Sequence, residues 1–447
     1  MALGPGKSFK TANPIYRPME YTGRASKLLA SVGAAIGDIV EVRRGRESYQ
    51  GTLMPHHEFS GDPIVTLKLS NGYNVGISIV GDAAVKVVSK KAERNVVDRT
   101  LPRSSSKKDV AFLGTGGTIA SYVDYRTGAV HPAKSAEELA FSVPELMDMC
   151  NLRAKVLCSI YSENMEVSHW QALARAAADE LRSGAVGVII PHGTDTMGFS
   201  SAALSFMLRN LTGPVVLVGS QRSSDRPSSD ATMNLLAATR LCVESDLGEV
   251  VVVMHGESSD SYCSVHRGTK VRKMHASRRD AFKSINADPI ARIEGPDISY
   301  ITEYMRRSSG ETLVQDKMDT KVGLVHFYPG FDTEHFDIIA GHVDGLVIAG
   351  TGLGHVSERL IGSIRRAVKD GVQVMITTQC LYGAVNLNVY STGRDMIEAG
   401  AVPLGDMLPE VAYVKLMWAL GQADGPDEVQ RLMLKDVAGE MSQRRRI

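Results

Sequence analysis

The chain has 447 residues, so two or three domains are expected rather than one. Apolar residues make up 43% and charged residues 22%, a composition typical of a folded globular protein and not of a disordered one. The formal net charge is +0, so the chain does not bind nucleic acid through its overall charge. Any contact with RNA would have to come from a local basic patch or from a partner.

The N-terminal sequence, the lack of long apolar runs and the scattered cysteines together predict a cytoplasmic protein. Residues 1–21 contain no apolar stretch of signal-peptide length, and no run approaches the roughly 18–20 apolar residues that span a bilayer. The five cysteines are scattered and form no C-x-x-C pair, as in proteins of a reducing compartment. The histidines show no metal-ligand spacing. We therefore expect no membrane segment and no bound metal.

The N-terminal extension, residues 1–92, is rich in short β-strand patterns. Between residues 37 and 90 these are GDIVEVRR, SYQGTLMP, PIVTLKLS, YNVGISIV and VKVVSK, each bounded by Gly, Asp, Asn or Pro. Their length and spacing predict a small SH3-like β-barrel used for attachment or partner contact. Arg43, Arg44 and Arg46 in this region could contact nucleic acid or form a solvated edge.

A charged, polar linker over 93–108 leads into a region where apolar strands alternate with helices. Strands are predicted at 109–114, 186–191, 214–219, 249–254, 322–327, 344–349 and 372–377, and helices include 168–182, 228–243, 356–369 and 409–421. This alternation predicts an α/β core with mainly parallel, doubly wound sheets. A less periodic segment, 296–320, is expected to join a lobe over 109–295, which carries the catalytic site, to a second lobe over 321–447.

Two glycine-rich bends place threonines directly after apolar runs. LGTGGTIAS over 113–121 contains Thr115, and IPHGTDTMG over 190–198 contains Thr194 beside Asp195. Because open parallel sheets place their sites at the strand ends, this pair of hydroxyls with an acidic partner favours amide hydrolysis. Such bends could instead bind phosphate or only turn the chain, although GTGGT lacks the dinucleotide and P-loop spacings. Asp195 could also be the N-cap of a helix over 196–211.

From residue 109 to the C-terminus the sequence resembles the bacterial-type L-asparaginases, which hydrolyse side-chain amides. Besides the two bends, the matching segments are SENM at 162–165, SSDATMNL at 228–235, KMHASRRDAFKS at 273–284 and TQCLYGAVNLNVYSTGRDMIEAGAV at 378–402. With its N-terminal β region, the chain is similar to the D subunits of archaeal glutamyl-tRNA(Gln) amidotransferases. The resemblance implies a two-lobed asparaginase-like core that releases ammonia from glutamine, with asparagine as another donor.

The resemblance also implies partners. A second protein, GatE, would use ATP, with Mg²⁺, and the ammonia to convert Glu-tRNA(Gln) to Gln-tRNA(Gln), while this chain would need no cofactor of its own. The tRNA would be held mainly by that partner. The basic stretch His266–Arg279 and the linker lysines could contact it too, or could be a solvated charged face. A homodimer within a heterotetramer is expected. The alternatives are a free-standing cytoplasmic L-asparaginase and a non-catalytic scaffold protein.

Four catalytic residues are implied by the resemblance. Thr115 matches the threonine usually taken as the nucleophile, and Thr194, Asp195 and Lys273 match a second group in which a lysine beside a carboxylate moves protons. The sequence does not decide which threonine attacks first.

Substrate-binding residues are implied in the same way. Ser162 and Glu163 match the positions that bind the α-carboxylate and α-ammonium of the substrate, with Asp195 sharing the ammonium. Gly116 and Gly193, in the two bends, are also expected to bind substrate. Backbone N–H groups near Gly116 and Thr194 could stabilise an oxyanion. Glu163 could instead be a surface acid at the start of a helix.

Two positions depart from the family pattern. Arg272 stands where a threonine normally precedes the catalytic lysine, and Lys270 is a local competitor for Lys273 that we interpret as part of a solvated basic loop. The family's mobile-loop tyrosine aligns near Ala129, so Tyr125 or the partner protein would have to supply its role.

Overall fold

The computed structural model describes residues 21–54, 63–69, 74–90, 103–115, 121–123, 130–132, 143, 145–222 and 229–442. Of the predicted linker, residues 93–102 lie outside these ranges. The chain divides into two compact units, one formed mainly by Met1–Asp98 and the other by most of the remaining residues. Within the ranges given, no helix is both long and apolar enough to cross a membrane.

The first unit is a small antiparallel sheet with one described helix. Its elements are α1 Gly23–Ser31, β1 Ile39–Arg44, β2 Glu47–Leu53, β3 Ile64–Leu69, β4 Asn74–Ser78 and β5 Ala84–Ser89. All five predicted strands are confirmed, in the order β4-β3-β2-β1-β5 with antiparallel neighbours. Because side chains alternate along a strand, Val40 and Val42 point to the buried face, where they join Leu29 of α1.

The second unit begins with a lobe built on an eight-stranded sheet. Between β6 Asp109–Gly114 and α2 Glu145–Met149, strands β7 Ser121–Val123 and β8 Val130–Pro132 form a separate two-stranded sheet, and Tyr122–His131 belongs to the first unit. The other described elements of the lobe are β9 Asn151–Val156, α3 Val167–Arg182, β10 Val188–Pro191, α4 Met197–Met207, β11 Leu208–Arg209, β12 Val215–Val218, α5 Ala231–Glu244, β13 Val250–His255, β14 Cys263–Arg267, β15 Val271–Lys273, β16 Phe282–Ser284, β17 Ala291–Glu294, β18 Asp297–Tyr300 and β19 Leu313–Val314. The large sheet has the order β18-β17-β14-β13-β12-β10-β6-β9.

Five neighbouring strands of this sheet are parallel and are covered on both faces, as predicted. They are β9, β6, β10, β12 and β13, while β14, β17 and β18 continue the sheet antiparallel. Alternate residues of one strand enter opposite cores: Val188 and Ile190 pack with α3 and α4, whereas Ile189 packs with α5. Every residue of β10 is therefore buried, which explains its continuous apolar run.

The second lobe contains a four-stranded parallel sheet in the order β20-β21-β22-β23. Its elements are β20 Val322–His326, α6 Thr333–Ala340, β21 Gly345–Gly350, α7 Ile361–Lys369, β22 Gln373–Thr378, α8 Ser391–Glu398, β23 Val402–Pro403, α9 Pro409–Gln422 and α10 Pro426–Leu434. Helix α9, with a proline in its first turn, is almost wholly buried and shares an apolar cluster with α3 and α4 of the first lobe.

The sequence prediction differs from the structure between the lobes. The predicted connector 296–320 contains strand β18, which forms the edge of the large sheet, and Leu313–Val314, which pairs with Leu208–Arg209. The sequence pattern predicts no strand in either segment. The β17–β18 hairpin turns at Gly295, whose φ of +53° suits a glycine, and its strands are too short to give a clear pattern.

Candidate active site

Thr115 directly follows β6 and is only 1% exposed. Its hydroxyl donates to the carbonyl of Pro191 at 2.8 Å, and its backbone N–H donates to the same oxygen at 3.3 Å. Pro191 ends β10, which runs parallel to β6, so the carboxyl ends of the two strands meet at one edge of the sheet. Thr115 therefore lies beside the segment that carries Thr194.

Lys273 connects the second threonine to an acid. Its Nζ lies 2.9 Å from Oγ1 of Thr194 and 2.7 Å from Oδ1 of Asp195. Thr194 is buried, the Lys273 side chain is 13% exposed, and the Asp195 side chain is 68% exposed. A hydroxyl, an amine and a carboxylate thus form one hydrogen-bonded group that opens to solvent at the acid. Such a group can move a proton to or from the hydroxyl.

This contact also decides between two interpretations of Asp195. Helix α4 begins at Met197, and Thr196 occupies its N-cap position. The Asp195 carboxylate pairs with Lys273 rather than capping the helix, so the N-cap interpretation is wrong. The Thr196 hydroxyl donates to the carbonyl of Ser162 at 2.7 Å, which fastens the helix start to the SENM segment.

The SENM segment forms a short 3₁₀ turn, Ser162–Asn164, against both threonine-bearing loops. The N–H of Ile160 donates to the carbonyl of Thr115 at 3.1 Å, and a Cβ on Gly193 would lie 2.7 Å from Cβ of Ser162. Ser162 is buried and Glu163 is exposed. The structure thus brings Ser162 and Gly193 together at the site. An exposed Glu163 is compatible with substrate binding and with a surface acid alike.

Two predicted site residues cannot be compared with the structure. Gly116 and Tyr125 lie outside the described residues, as does Ala129. The oxyanion role of the first bend and the tyrosine role of its loop stay predictions.

Lys270 differs from its predicted environment. It is 2% exposed, and its Nζ lies 2.7 Å from Oδ2 of Asp406. The interpretation of Lys270 as part of a solvated loop is therefore wrong, because it forms a buried ion pair. His266, in the same basic stretch, is also buried and bonds to the Ser284 hydroxyl through Nδ1 at 2.8 Å. The interpretation of residues 266–279 as a wholly solvated charged face is therefore wrong. Contact of this stretch with tRNA stays a prediction.

Gly219 borders the site, although no feature of the sequence had marked it as a site residue. A Cβ at this position would lie 2.8 Å from Cγ2 of Thr194. Its carbonyl accepts a hydrogen bond from the Asn234 side chain at 2.9 Å, and Asp230 accepts the N–H of Gln221 in the same loop. The signal that could have found it is a glycine directly after the apolar run VVLV, the same pattern that marks Thr115 and Thr194.

The histidine of the HGTDT run is not suited to proton transfer. His192 is fully buried, and its Nδ1 lies 2.6 Å from the carbonyl oxygen of Gly193. Burial lowers the pKa of His192 to about 4, so the ring is neutral at physiological pH. Over the described ranges, no group of three or more His, Cys, Asp or Glu residues could hold a metal ion. Lys273, and not His192, is the ionisable side chain that contacts the Thr194 hydroxyl.

Three family models match the chain. They are asparaginase, N-terminal, over residues 109–306; glutaminase/asparaginase C-terminal domain over 321–433; and GatD N-terminal domain over 34–88. Among curated proteins, the D subunit of the glutamyl-tRNA(Gln) amidotransferase of Pyrococcus furiosus is 53% identical, over 94% of this chain and 98% of the relative. The D subunit of the Thermococcus kodakarensis enzyme is also 53% identical, over 92% and 95%. This chain belongs to the GatD family.

The solved structures match the core of this GatD-family chain. The thermostable L-asparaginase of Thermococcus kodakarensis superposes with a TM-score of 0.69 at 33% identity, covering 75% of this chain and 100% of its own. L-asparaginase I of Vibrio cholerae gives 0.67 at 30% identity, covering 75% and 99%. The asparaginase-like fold is confirmed. Thr115, Thr194, Asp195 and Lys273 all lie within the asparaginase N-terminal match.

Proposed function

We propose that this chain is the glutaminase component of a tRNA-dependent amidotransferase. It hydrolyses the side-chain amide of glutamine, with asparagine as another donor, and releases ammonia. A partner protein, GatE, uses that ammonia and ATP, with Mg²⁺, to convert Glu-tRNA(Gln) to Gln-tRNA(Gln). The observation that carries the proposal is the 2.9 Å contact between Lys273 Nζ and Thr194 Oγ1 in a chain of the GatD family.

The proposed reaction is an acyl transfer in two steps. A threonine oxygen attacks the amide carbon of glutamine, and the C–N bond then breaks so that ammonia leaves. The hydrogen-bonded group of Thr194, Lys273 and Asp195 takes up the threonine proton and delivers a proton to the departing nitrogen. Water attacks the resulting ester, which gives glutamate and regenerates the threonine.

The two threonines have different surroundings, and this supports different roles. The Thr194 hydroxyl contacts Lys273, so its proton has a direct acceptor, whereas the Thr115 hydroxyl donates to the Pro191 carbonyl. Either could form the ester. Quenching the reaction with acid and measuring the masses of the tryptic peptides identifies the attacking residue, because only its peptide gains the glutamyl group.

The substrate's charged ends need partners in the same place. We assign Ser162 and Glu163 to the α-carboxylate and α-ammonium, with the exposed carboxylate of Asp195 sharing the ammonium. From the family resemblance we also assign Gly116 and Gly193 to substrate binding, and we assign support of the attack to Tyr125 or the partner protein. The buried position of Ser162 beside Gly193 supports this arrangement.

Transamidation of Glu-tRNA(Gln) with glutamine as donor tests the function. We expect weak glutaminase activity from the chain alone and a rise when GatE, ATP, Mg²⁺ and Glu-tRNA(Gln) are added. Full glutaminase activity of the isolated chain would contradict the hypothesis that the partner protein completes the active site. Failure to form Gln-tRNA(Gln) in the complete mixture would contradict the proposed function. Cytoplasmic location and a homodimer within a heterotetramer belong to the same proposal.

A second candidate is a free-standing L-asparaginase. It is favoured by the match to the whole length of a solved L-asparaginase. It leaves the GatD N-terminal domain match over 34–88 without a role. Asparaginase activity that does not change on addition of GatE and Glu-tRNA(Gln) would support this candidate.

The contacts of Lys273 with Thr194 and Asp195 disfavour a non-catalytic scaffold. A wild-type chain that releases no ammonia in any mixture would support the scaffold instead.

A further inference from the structure

We infer that Arg272 and Glu410 are positioning residues for the amidase reaction. Their ion pair fastens β15 to the start of helix α9 and so holds the amine of Lys273 against Thr194 and Asp195. This inference rests on the proposed function, because it concerns the same lysine.

Strand β15 presents its residues to two different sides. Successive side chains of a strand point in opposite directions. Lys273 reaches Thr194 and Asp195, and Val271 is buried in the apolar cluster that includes α4. Arg272 points the other way and meets the acid at the start of α9.

Two ion pairs, one from the strand and one from the residue directly before it, join β15 to the segment that enters α9. Arg272 Nε lies 3.3 Å from Oε1 of Glu410, with side chains 29% and 9% exposed. Lys270 Nζ lies 2.7 Å from Oδ2 of Asp406, with side chains 3% and 13% exposed. Glu410 occupies the first turn of α9, where the helix dipole also favours a negative charge. Low exposure limits screening by water, so both pairs restrain the strand.

Helix α9 supports the other half of the site as well. The ring of Tyr413, one turn after Glu410, makes an edge-to-face contact with Phe199 of α4 at 6.3 Å between centroids. Helix α4 begins at Met197, directly after the segment with Thr194 and Asp195. The same helix therefore contacts the element that carries the hydroxyl and the strand that carries the amine.

Strand β15 needs this external support because its own pairing is short. It has three residues, and within the described ranges it pairs only with the equally short β16, from Val271 opposite Ser284 to Lys273 opposite Phe282. Proton transfer depends on sub-ångström placement of donor and acceptor, and a displacement of about 1 Å can reduce a rate by about 100-fold.

A double-mutant cycle on the full-length chain, assayed for glutamine hydrolysis alone and with GatE, tests the inference. Arg272→Met and Glu410→Gln should each lower kcat by about 10-fold while KM changes less than about two-fold. The double variant should be no slower than either single variant, because both remove one interaction. Arg272→Lys should keep most of the wild-type kcat.

The matched control breaks a comparable pair at the opposite edge of the sheet. Arg267 Nε lies 2.8 Å from Oε2 of Glu249, with side chains 22% and 2% exposed. Glu249 precedes β13, so it lies at the amino end of the parallel strands, away from Thr194. Glu249→Gln should lower the free energy of unfolding and leave kcat unchanged.

A second readout does not depend on activity. Amide hydrogen exchange in the peptide containing Val271–Met274 should be at least about 10-fold faster in Arg272→Met and Glu410→Gln, and unchanged in Glu249→Gln. Additive kcat losses in the cycle, or unchanged exchange in this peptide, would overturn the inference. A wild-type chain that releases no ammonia under any condition would contradict the proposed function instead. In that case the hydrogen-exchange data alone would decide whether the Arg272–Glu410 pair restrains β15.

Discussion

A Cβ on Gly193 would lie 2.7 Å from Cβ of Ser162 and 2.9 Å from its hydroxyl oxygen. Side-chain carbons do not approach this closely, so the second glycine-rich bend and the SENM turn can touch only because position 193 has no side chain. The hydrogen bond from Thr196 Oγ1 to the Ser162 carbonyl fixes the contact from the other side. The shape of the proposed substrate site therefore depends on this glycine.

Gly193→Ala should accordingly weaken substrate binding. The added methyl group must push Ser162 away, and overpacking of this kind costs about 1–3 kcal/mol. If that cost falls on substrate binding, KM for glutamine rises by about 5- to 150-fold. Steady-state ammonia release measures it. Gly114→Ala is the matched control, because its Cβ would make an ordinary 3.5 Å contact with Val156 directly before Thr115. Equal effects of the two substitutions would contradict the role of the 193–162 contact.

Lys273→Met should remove proton transfer at Thr194. The side chain keeps its length and apolar stem but loses the amine that contacts both Thr194 and Asp195. We expect kcat to fall by about 10²–10⁴-fold with a small change in KM, as for loss of a general acid–base group. Burst-phase kinetics would locate the loss in chemistry rather than in product release.

Lys270→Met is the natural comparison and should act mainly on stability. It leaves Asp406 without its cation in a buried environment, which typically costs about 3–5 kcal/mol of the free energy of unfolding. Chemical denaturation measures this cost, and kcat per folded molecule should fall far less than for Lys273→Met. A larger loss of kcat in Lys270→Met than in Lys273→Met would mean that Lys270, and not Lys273, acts in catalysis.

Thr115→Val should abolish amide hydrolysis at a small cost in stability. Valine preserves the shape of the side chain but removes a hydroxyl whose loss should lower kcat by at least about 10³-fold. The lost hydrogen bond to Pro191 should cost about 1 kcal/mol in unfolding experiments. Thr239→Val is the control, since Thr239 is also buried and donates to the Leu235 carbonyl at 2.9 Å. It should show the same stability loss with full activity.

The parallel half of the sheet and the two threonines could be predicted because their signal is local. Strands such as β10 are buried on both faces, so they appear as continuous apolar runs, and their ends are marked by the glycine-rich bends. The antiparallel strands β17 and β18 are four residues each and partly exposed, so no period identifies them. Within this sheet, the strands were therefore predictable where burial is complete.

The environments of the two lysines could not be predicted, because their partners are distant in sequence. Lys270 and Lys273 lie three residues apart in one basic stretch, yet one pairs with Asp406, 136 residues away, and the other with Asp195, 78 residues away. Only the folded packing of α9 against β15 decides which lysine is buried as an ion pair and which reaches the threonine. The family pattern indicated Lys273, and local chemistry could not have done so.

The buried histidines predict how stability depends on pH. Burial lowers the pKa of His192 to about 4, and burial with the nearby charge of Lys283 lowers the pKa of His266 to about 3, both from an ordinary 6.5. The unfolded chain therefore binds protons that the folded chain does not. Stability from these groups is complete above pH 6.5 and is lost as the pH falls towards 4 and 3, by up to about 1.4 kcal/mol per pH unit for each histidine.

Denaturation of wild type and His266→Gln between pH 7 and 4 should show a shallower decline in the variant, whereas substitution of the exposed His342 should leave the slope unchanged. Parallel profiles for wild type and His266→Gln would mean that folding does not lower the pKa of His266.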